Sequence, residues 1–437
     1  FDMANNISLA AHLRNDPGDS IVFTCAVTRA GAALTGNPRM YYRLQRNPIF
    51  DPYRTSGLPD QGFVLCDSVR NATGLWVPDK FFADLPDTGF LFPGDKLRYY
   101  IWAEDAIGGA DIQASTLPGD TTGFSDWSGN LQYNASVTVR ALPTITSLAG
   151  DQPGVLFWND GGTGGLEEWY GAFANLGLIE SRDYDEYYTN AAGSAVSNGL
   201  GGRATVQDIQ GYGDMLYTCG QVLLTTLSNG DFNNDAGDDV GLLTAWLQEG
   251  DKDILLTGDN LASDLAQSGA TTNSFLTNYM GVSVISNDVR PLIGTQTAPR
   301  VLPEAGNPVL ASVSSWIAFG GCPGINQFDA VTTINLAQRI AQFANTAGSP
   351  GGYPYSAGTL NQVALDNANV ISLPYAFRYI YTDANETAQA NGLAARTRFL
   401  ADVLTYFSVP QNPGDVTAVP GAPAFAIGSH PNPCLLY

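Results

Sequence analysis

The period of the hydrophobic pattern changes near residue 142, and this change constrains the fold more than any other feature of the chain. Before it, apolar residues alternate with polar ones, so that Ile21, Phe23, Cys25 and Val27 fall on one face. Runs of period two that are separated by turn clusters are typical of strands. We therefore expect an all-β region over residues 1–142. Further strands are predicted at Met40–Leu44, Phe63–Cys66, Leu97–Ala103 and Leu131–Val139.

After Pro143 short apolar runs alternate with helical stretches, as they do in βαβ units. Such runs, buried on both faces, predict a doubly wound parallel sheet over residues 143–410. Residues 411–437 are rich in proline and glycine, which is typical of an extended linker or tail. The predicted strands are Val155–Trp158, Asp253–Thr257 and Val370–Leu373, and the predicted helices span about 166–176, 238–249 and 392–406.

The charge balance excludes two classes of partner. Acidic residues outnumber basic ones 42 to 20, which gives a formal net charge of −22. Binding to nucleic acid or to an anionic membrane surface requires a basic face, so neither partner is expected. No apolar run approaches the length of a membrane-spanning helix, so membrane insertion is not expected either.

Two segments resemble known families. Arg98–Asp105, followed by Gly108 and Gly109, resembles a late strand of immunoglobulin-like and fibronectin-III-like modules. The strand–turn–helix that contains Leu255–Asn260 resembles the class I glutamine-amidotransferase-like branch of the flavodoxin-like fold, at the position of its nucleophile elbow. Together these resemblances imply an all-β Ig-like sandwich followed by a flavodoxin-like α/β doubly wound parallel sheet.

The tail carries a third resemblance. Ile427–Pro433 is similar to the opening of the C-terminal sorting or immunoglobulin-like domains of secreted bacterial proteins, with Cys434 where that family has phenylalanine. The resemblance implies an exported bacterial multidomain protein, located outside the cell or on its outer surface. It also implies that this chain is part of a longer precursor.

The residue inventory limits the chemistry of the α/β region. Amidotransferase chemistry requires a cysteine, a histidine and an orienting carboxylate. The predicted elbow carries Asp259, and no histidine lies between His12 and His430, so the region has no cysteine–histidine pair. An Asp259 nucleophile with Asp160 as second carboxylate is one interpretation; the other is that Asp259 caps the following helix. The cleft candidates are Asp160, Cys219, Asp259 and Asn260.

The segment from Asp231 to Asp239 resembles the first half of an EF-hand-like calcium loop. Oxygen ligands at alternate positions suit a hard cation. Ala236 replaces the expected glycine, and Leu242 stands where a glutamate is expected. The alternative is a polar loop in which Asp238 or Asp239 caps the next helix. The predicted calcium ligands are Asp231, Asn233, Asp235, Asp238 and Asp239.

Five cysteines are distributed over the three regions. Two pairs, Cys25–Cys66 and Cys219–Cys322, lie within predicted domains, and Cys434 lies in the tail. In an exported protein each pair forms a disulfide; the alternative is buried free thiols.

The absence of bases and nucleophiles favours a non-catalytic secreted or cell-surface protein that acts in adhesion, binding or self-assembly. Self-association is expected through the tail at 416–427 or through a sheet edge, and tyrosine-rich segments fit a glycan or surface ligand. The alternative is a hydrolase that uses Asp160 and Asp259, or an accessory domain of a larger secreted hydrolase.

Overall fold

The chain divides into two compact units, and the main boundary lies between Gln152 and Pro153. The structure, a computed structural model, describes residues 20–85, 89–128, 133–162, 164–189, 199–230, 237–319, 327–344, 353–382 and 392–412.

The first unit is built from antiparallel strands in two sheets. A three-stranded sheet has the order β1-β6-β5; a six-stranded sheet has the order β2-β7-β3-β4, with β8 and β9 also paired to β7. Alternating residues such as Met40, Tyr42, Leu97 and Ile101 are buried in a common core. The strands are β1 (Ser20–Thr24), β2 (Ala32–Leu34), β3 (Arg39–Gln45), β4 (Gln61–Leu65), β5 (Asp67–Arg70), β6 (Trp76–Asp84), β7 (Lys96–Ile107), β8 (Asp111–Leu117) and β9 (Thr138–Arg140).

The second unit contains one large sheet of twelve described strands. Its strands are β10 (Val155–Asn159), β11 (Tyr184–Tyr188), β12 (Asp214–Thr218), β13 (Asp253–Thr257), β14 (Val282–Ser286), β15 (Arg300–Pro303), β16 (Trp316–Ala318), β17 (Ala330–Thr333), β18 (Gln338–Ala344), β19 (Ser356–Val363), β20 (Ala368–Leu373) and β21 (Ile380–Thr382). Its α-helices are α1 (Leu166–Asn175), α2 (Val206–Ile209), α3 (Asp239–Leu247), α4 (Leu261–Ser268), α5 (Ala270–Phe275) and α6 (Leu393–Tyr406).

The large sheet is mixed. Strands β11, β10, β12, β13 and β20 are parallel neighbours in that order. From β19 onward the pairing is antiparallel, through β18, β15, β16 and β21, with β14 and β17 branching from the main path. The parallel strands β10, β12 and β13 are almost wholly buried, as expected for strands with both faces covered.

The predicted fold class, an Ig-like sandwich followed by a flavodoxin-like doubly wound parallel sheet, is wrong. The sheet of the second unit continues with antiparallel strands over residues 282–363 and at 380–382, where the sequence was not interpreted as strands. In the first unit the 12-residue strand β7 bonds to four other strands, because it is long enough to pair with two on each edge. The resulting division into three and six strands differs from that of Ig domains.

Candidate active site

The candidate site lies at the carboxyl ends of the parallel strands. Strand β10 pairs with β11 on one side and with β12 on the other, so the strand order reverses at β10. The connections that follow two such strands leave the sheet in opposite directions and open a crevice at their carboxyl ends. The polar residues that follow β10, β12 and β13 therefore lie where a ligand would bind.

The structure brings the four predicted cleft residues to this edge. Asp160 follows β10, Cys219 follows β12, and Asp259 and Asn260 follow β13. Backbone hydrogen bonds join the three loops in series. The amide of Asp160 donates to the Thr218 carbonyl over 2.9 Å, that of Cys219 to Thr257 over 3.1 Å, and that of Asp259 to Gly220 over 3.0 Å.

Glycines allow these loops to approach closely. A Cβ on Gly161 would lie 2.7 Å from the backbone nitrogen of Gly220, which is much shorter than a normal contact. A Cβ on Gly258 would collide with the Sγ of Cys219. The loops after β10, β12 and β13 thus pack against one another through backbone atoms, and the glycines are required for that contact.

Asp160 forms the first of two aspartate–tyrosine pairs. The Tyr217 hydroxyl donates to Oδ2 of Asp160 over 3.0 Å. Asp160 is half-buried, whereas Tyr217 is completely buried. Burial, followed by the neighbouring carboxylate of Asp160, raises the pKa of Tyr217 well above its usual value. The phenol therefore stays protonated and acts as a fixed donor to the carboxylate.

Asp259 forms the second pair. Its Oδ2 accepts a hydrogen bond of 3.2 Å from the Tyr379 hydroxyl, and its Oδ1 accepts one of 3.4 Å from the Ala376 amide. Asp259 has no exposed surface, and burial raises its pKa to about 8, against the hydrogen bonds, which lower it. The group is therefore largely protonated at neutral pH.

A hydrogen-bond chain connects Asp259 to the surface. The exposed Gln221 donates its side-chain amide to the Tyr379 hydroxyl, which contacts Asp259. Gln221 follows β12 and Tyr379 follows β20, so the chain joins loops from two strands that flank β13. The buried phenol therefore links the Asp259 carboxyl to an exposed side chain.

Asp259 does not cap helix α4, because another aspartate does so. Asp329 accepts hydrogen bonds from the Ala262 amide over 2.8 Å and from the Ser263 hydroxyl over 2.5 Å. It is completely buried, and burial raises its pKa to about 7. The side chain of Asp259 is consequently directed toward Ala376 and Tyr379.

Asn260 occupies the sharp turn between β13 and α4. Its φ of 55° places it in the left-handed region, which asparagine tolerates better than most residues. Its Nδ2 donates to the Leu223 carbonyl over 2.6 Å. Within the described part of the chain its buried Oδ1 has no hydrogen-bond partner, so an acceptor is left for a ligand or a water.

Cys219 lies between the two pairs as a neutral thiol. It is completely buried, and its Sγ lies 3.8 Å from the Asp259 carbonyl oxygen. Burial and then the carboxylates of Asp160, Asp259, Asp264 and Asp329 raise its pKa well above the usual value. A protonated, buried thiol is a poor nucleophile, so Cys219 contributes packing at this site.

The predicted calcium loop is described only at its end. Asp231, Asn233 and Asp235 lie outside the described residues. Asp238 caps α3 by accepting from the Gly241 amide over 2.8 Å, and the buried Asp239 accepts from Gly201 over 2.7 Å and from Ser228 over 3.1 Å. The carboxylates of both residues therefore accept hydrogen bonds from backbone amides. Among the described residues no cluster of three metal-ligating side chains occurs, and calcium stays a prediction.

The disulfides also stay predictions. Cys25 and Cys66 are free thiols that pack in the same core of the first unit, and burial raises the pKa of Cys66 to about 12. Cys219 is a free thiol, while Cys322 and Cys434 lie outside the described residues.

Sequence reasoning missed four residues of this site: Tyr217, Gln221, Asp329 and Tyr379. Tyr217 lies in a strand directly after two apolar residues, and nothing in the neighbouring sequence indicates a polar role for its hydroxyl. Asp329 follows a segment in which no element was predicted. Tyr379 offered a usable signal, since it lies shortly after the predicted strand Val370–Leu373, at the edge where ligands bind.

Comparisons with known proteins add little. No family model matches the chain, and no curated protein matches it. Among solved structures it is similar to Agd3, described as a novel carbohydrate deacetylase, with 12% sequence identity and a TM-score of 0.33. The alignment covers 58% of this chain and 32% of that protein, and a likeness this weak supports no conclusion about fold or activity. No helix among the described residues is long and apolar enough to cross a membrane.

Proposed function

We propose that the chain is a hydrolase whose acid–base chemistry depends on two aspartate–tyrosine pairs, Asp160–Tyr217 and Asp259–Tyr379. The observation that carries this proposal is the placement of both pairs at the carboxyl edge of the parallel strands. One carboxyl is half-exposed and accepts from a phenol, whereas the other is buried and has a pKa of about 8. Carboxyl groups with such different environments are suited to opposite proton-transfer roles.

The half-buried carboxylate of Asp160 serves as the base. It accepts a proton from a water molecule as the water oxygen attacks the electrophilic carbon of the substrate. The hydrogen bond from Tyr217 fixes the orientation of the carboxylate. The raised pKa of the Tyr217 phenol keeps this donor protonated, so the hydrogen bond favours the ionised form of Asp160.

Asp259 supplies the proton for the leaving group. Since it is buried, it acts through Tyr379: the phenol turns its hydrogen from Oδ2 of Asp259 to the leaving oxygen or nitrogen, gives up that proton and takes one from the Asp259 carboxyl. The exposed Gln221, which donates to the same phenol oxygen, lies beside this relay. The proton held by Asp160 then returns to Asp259 through solvent, which completes the cycle without any other group.

The test is hydrolysis of chromogenic esters, amides and glycosides by the full chain. We expect turnover in at least one class and a decrease in kcat of about 10²-fold or more in Asp160→Asn. The matched control is Asp214→Asn, because Asp214 is also a half-buried carboxyl, with a raised pKa, but starts β12 at the opposite edge. Absence of turnover in all three classes, or equal activity of Asp160→Asn and the wild type, would overturn the proposal.

The pH profile provides a second readout. The acid form of Asp259 is lost above a pKa of about 8, so kcat/KM should decrease above that pH. In Tyr379→Phe the relay is absent, and kcat should become low and independent of pH in this range. A profile that still rises above pH 8 contradicts the role given to Asp259.

A further inference from the structure

Arg378 is a cationic side chain at the carboxyl edge of the parallel strands. It lies in the short helical turn Phe377–Tyr379, which follows β20, and it directly precedes the phenol of the relay. Its side chain is 30% exposed. Within the described part of the chain this side chain donates no hydrogen bond, and its one ion pair, with Oε1 of Glu168, spans 3.9 Å. The N–H groups of the guanidinium are therefore available to a ligand.

Two glycines let the loop after β10 lie against this arginine. A Cβ on Gly164 would be 3.2 Å from Nη1 of Arg378, and one on Gly165 would be 3.3 Å from its Cδ. The same loop begins with Asp160, the proposed base. The guanidinium carbon also lies 5.8 Å from the centre of the Tyr379 ring. Arg378 therefore contacts the loop of the base and lies beside the phenol of the relay.

Contacts with two helices fix the turn that carries Arg378. Phe377 stacks on Trp169 of α1, with ring centres 3.9 Å apart. The Arg378 carbonyl accepts a hydrogen bond of 3.2 Å from Arg396 of α6. Donors that are fixed before the reaction stabilise a developing charge without reorganisation, so a held turn suits such a role.

We propose that Arg378 stabilises the oxyanion formed from an ester or amide substrate, an inference that rests on the hydrolase function proposed above. Water attacks the carbonyl carbon while Asp160 takes a proton from the water, and the π-electron pair of the C=O bond moves onto its oxygen. Arg378 donates N–H groups to that oxygen. When the C=O bond re-forms, the bond to the leaving oxygen or nitrogen breaks with its electron pair on the leaving atom. Tyr379 gives that atom a proton, so a carboxylic acid and an alcohol or amine are released.

A guanidinium at this position discriminates between substrate classes. Ester and amide hydrolysis passes through an oxyanion, which a cation stabilises. Glycoside hydrolysis passes through a transition state that resembles an oxocarbenium ion, which a cation destabilises. The inference therefore predicts turnover of esters or amides and none of glycosides.

The guanidinium also favours proton donation by Tyr379. Burial raises the pKa of this phenol, and the charge of Arg378 acts against the increase. A phenol with a lower pKa gives up its proton more readily. Arg378 thus assists both the formation of the oxyanion and the departure of the leaving group.

The test measures kcat and KM of the full chain for p-nitrophenyl acetate, an acyl p-nitroanilide and p-nitrophenyl glycosides. We expect turnover of the ester or the anilide only. Arg378→Met keeps an apolar stem on Gly165 but removes the guanidinium, so kcat should decrease about 10²-fold with KM largely unchanged. Arg378→Lys keeps the charge but loses the planar array of donors, so its kcat should be intermediate.

Arg339→Met is the matched control, because the Arg339 side chain is similarly exposed, at 31%, but lies on β18 and pairs with Glu304. Its kcat should equal that of the wild type. Turnover of glycosides alone, equal kcat in Arg378→Met and Arg339→Met, or a change in KM alone would overturn the inference. In each of these cases turnover that depends on Asp160 would still support the hydrolase function. Absence of turnover in every class would overturn both.

Discussion

The two edges of the parallel strands both hold carboxyl groups, half-buried at the amino edge and fully buried at the carboxyl edge, and their contacts differ. At the amino edge, Asp214 and Asp253 are strand residues in register with each other, and Asp253 accepts from Asn369 on the next strand. At the carboxyl edge, Asp259 and Asp329 lie outside the strands and accept from distant segments. Raised pKa values occur at both edges, so burial alone does not mark a site. What distinguishes the carboxyl edge is the convergence of loops and phenols.

The largest expected effect is that of Asp329→Ala. The substitution leaves the buried Ala262 amide and Ser263 hydroxyl without their acceptor, so the free energy of unfolding should decrease by about 3 kcal/mol. At the amino edge, Asp253→Ala exposes the Asn369 amide to water and should cost only about 1 kcal/mol. Urea denaturation measures both. Equal losses would show that the two edges hold their carboxyls with equal strength.

The next comparison is between two glycines. An alanine at Gly161 would meet the Gly220 backbone at 2.7 Å, and forcing the loops apart should cost about 2 kcal/mol. Gly213, just before β12 at the amino edge, has no atom within 4 Å of the added methyl group. Gly213→Ala should therefore change the unfolding free energy by less than about 1 kcal/mol, and it should stabilise the protein. Thermal denaturation of the two variants decides whether only the carboxyl edge is closely packed.

The sequence predicted the parallel part of the large sheet better than the rest. The strands Val155–Trp158, Asp253–Thr257 and Val370–Leu373 are each mainly apolar, which is typical of a strand covered on both faces. The antiparallel strands over 282–363 contain serine, threonine, glutamine and asparagine, and in isolation these runs resemble loops. Their pairing depends on contacts between segments far apart in sequence, so no local pattern predicted them.

The same reasoning explains which site residues were found. Asp160, Cys219, Asp259 and Asn260 each lie shortly after an apolar run, so their place at the sheet edge can be predicted from the strand alone. The cap on α4 comes from Asp329, which is 67 positions away from the helix amide that it accepts. The sequence near the helix gives no indication of an acceptor that lies so far away in the chain.

The pH dependence of stability distinguishes Asp214 at the amino edge from Asp259 at the carboxyl edge by their pKa values. Asp214, with a pKa of about 7, and Asp259, with a pKa of about 8, both lie above the unfolded value of 3.8. The folded state therefore binds more protons than the unfolded state, and stability decreases as the pH rises from 4 toward these values. Each group contributes at most about 1.4 kcal/mol per pH unit.

Two variants test this slope. Asp259→Asn should make the decrease shallower up to about pH 8, and Asp214→Asn should do so only up to about pH 7. Urea denaturation at intervals between pH 5 and pH 9 gives the slopes. Stability that increases with pH in the wild-type protein would contradict protonation of these carboxyls in the folded state.

The smallest expected difference compares two tyrosines. Tyr379→Phe removes a buried donor to Asp259, and the lost hydrogen bond should cost about 1 kcal/mol. Tyr406, at the amino edge, is half-buried, donates to Asn369 over 3.3 Å and accepts from Gln362 over 3.0 Å. Water replaces these bonds in Tyr406→Phe, so its cost should be a few tenths of a kcal/mol at most.

The two phenylalanine variants also differ in a way that stability alone does not show. The hydrogen bond from Tyr379 lowers the pKa of Asp259, so its loss should raise that pKa further and move the midpoint of the stability–pH curve above 8. Tyr406→Phe should leave the midpoint in place. A midpoint that shifts equally in both variants would mean that Tyr379 affects the pKa of Asp259 only through packing. The two edges would then differ only in how deeply their carboxyl groups are buried.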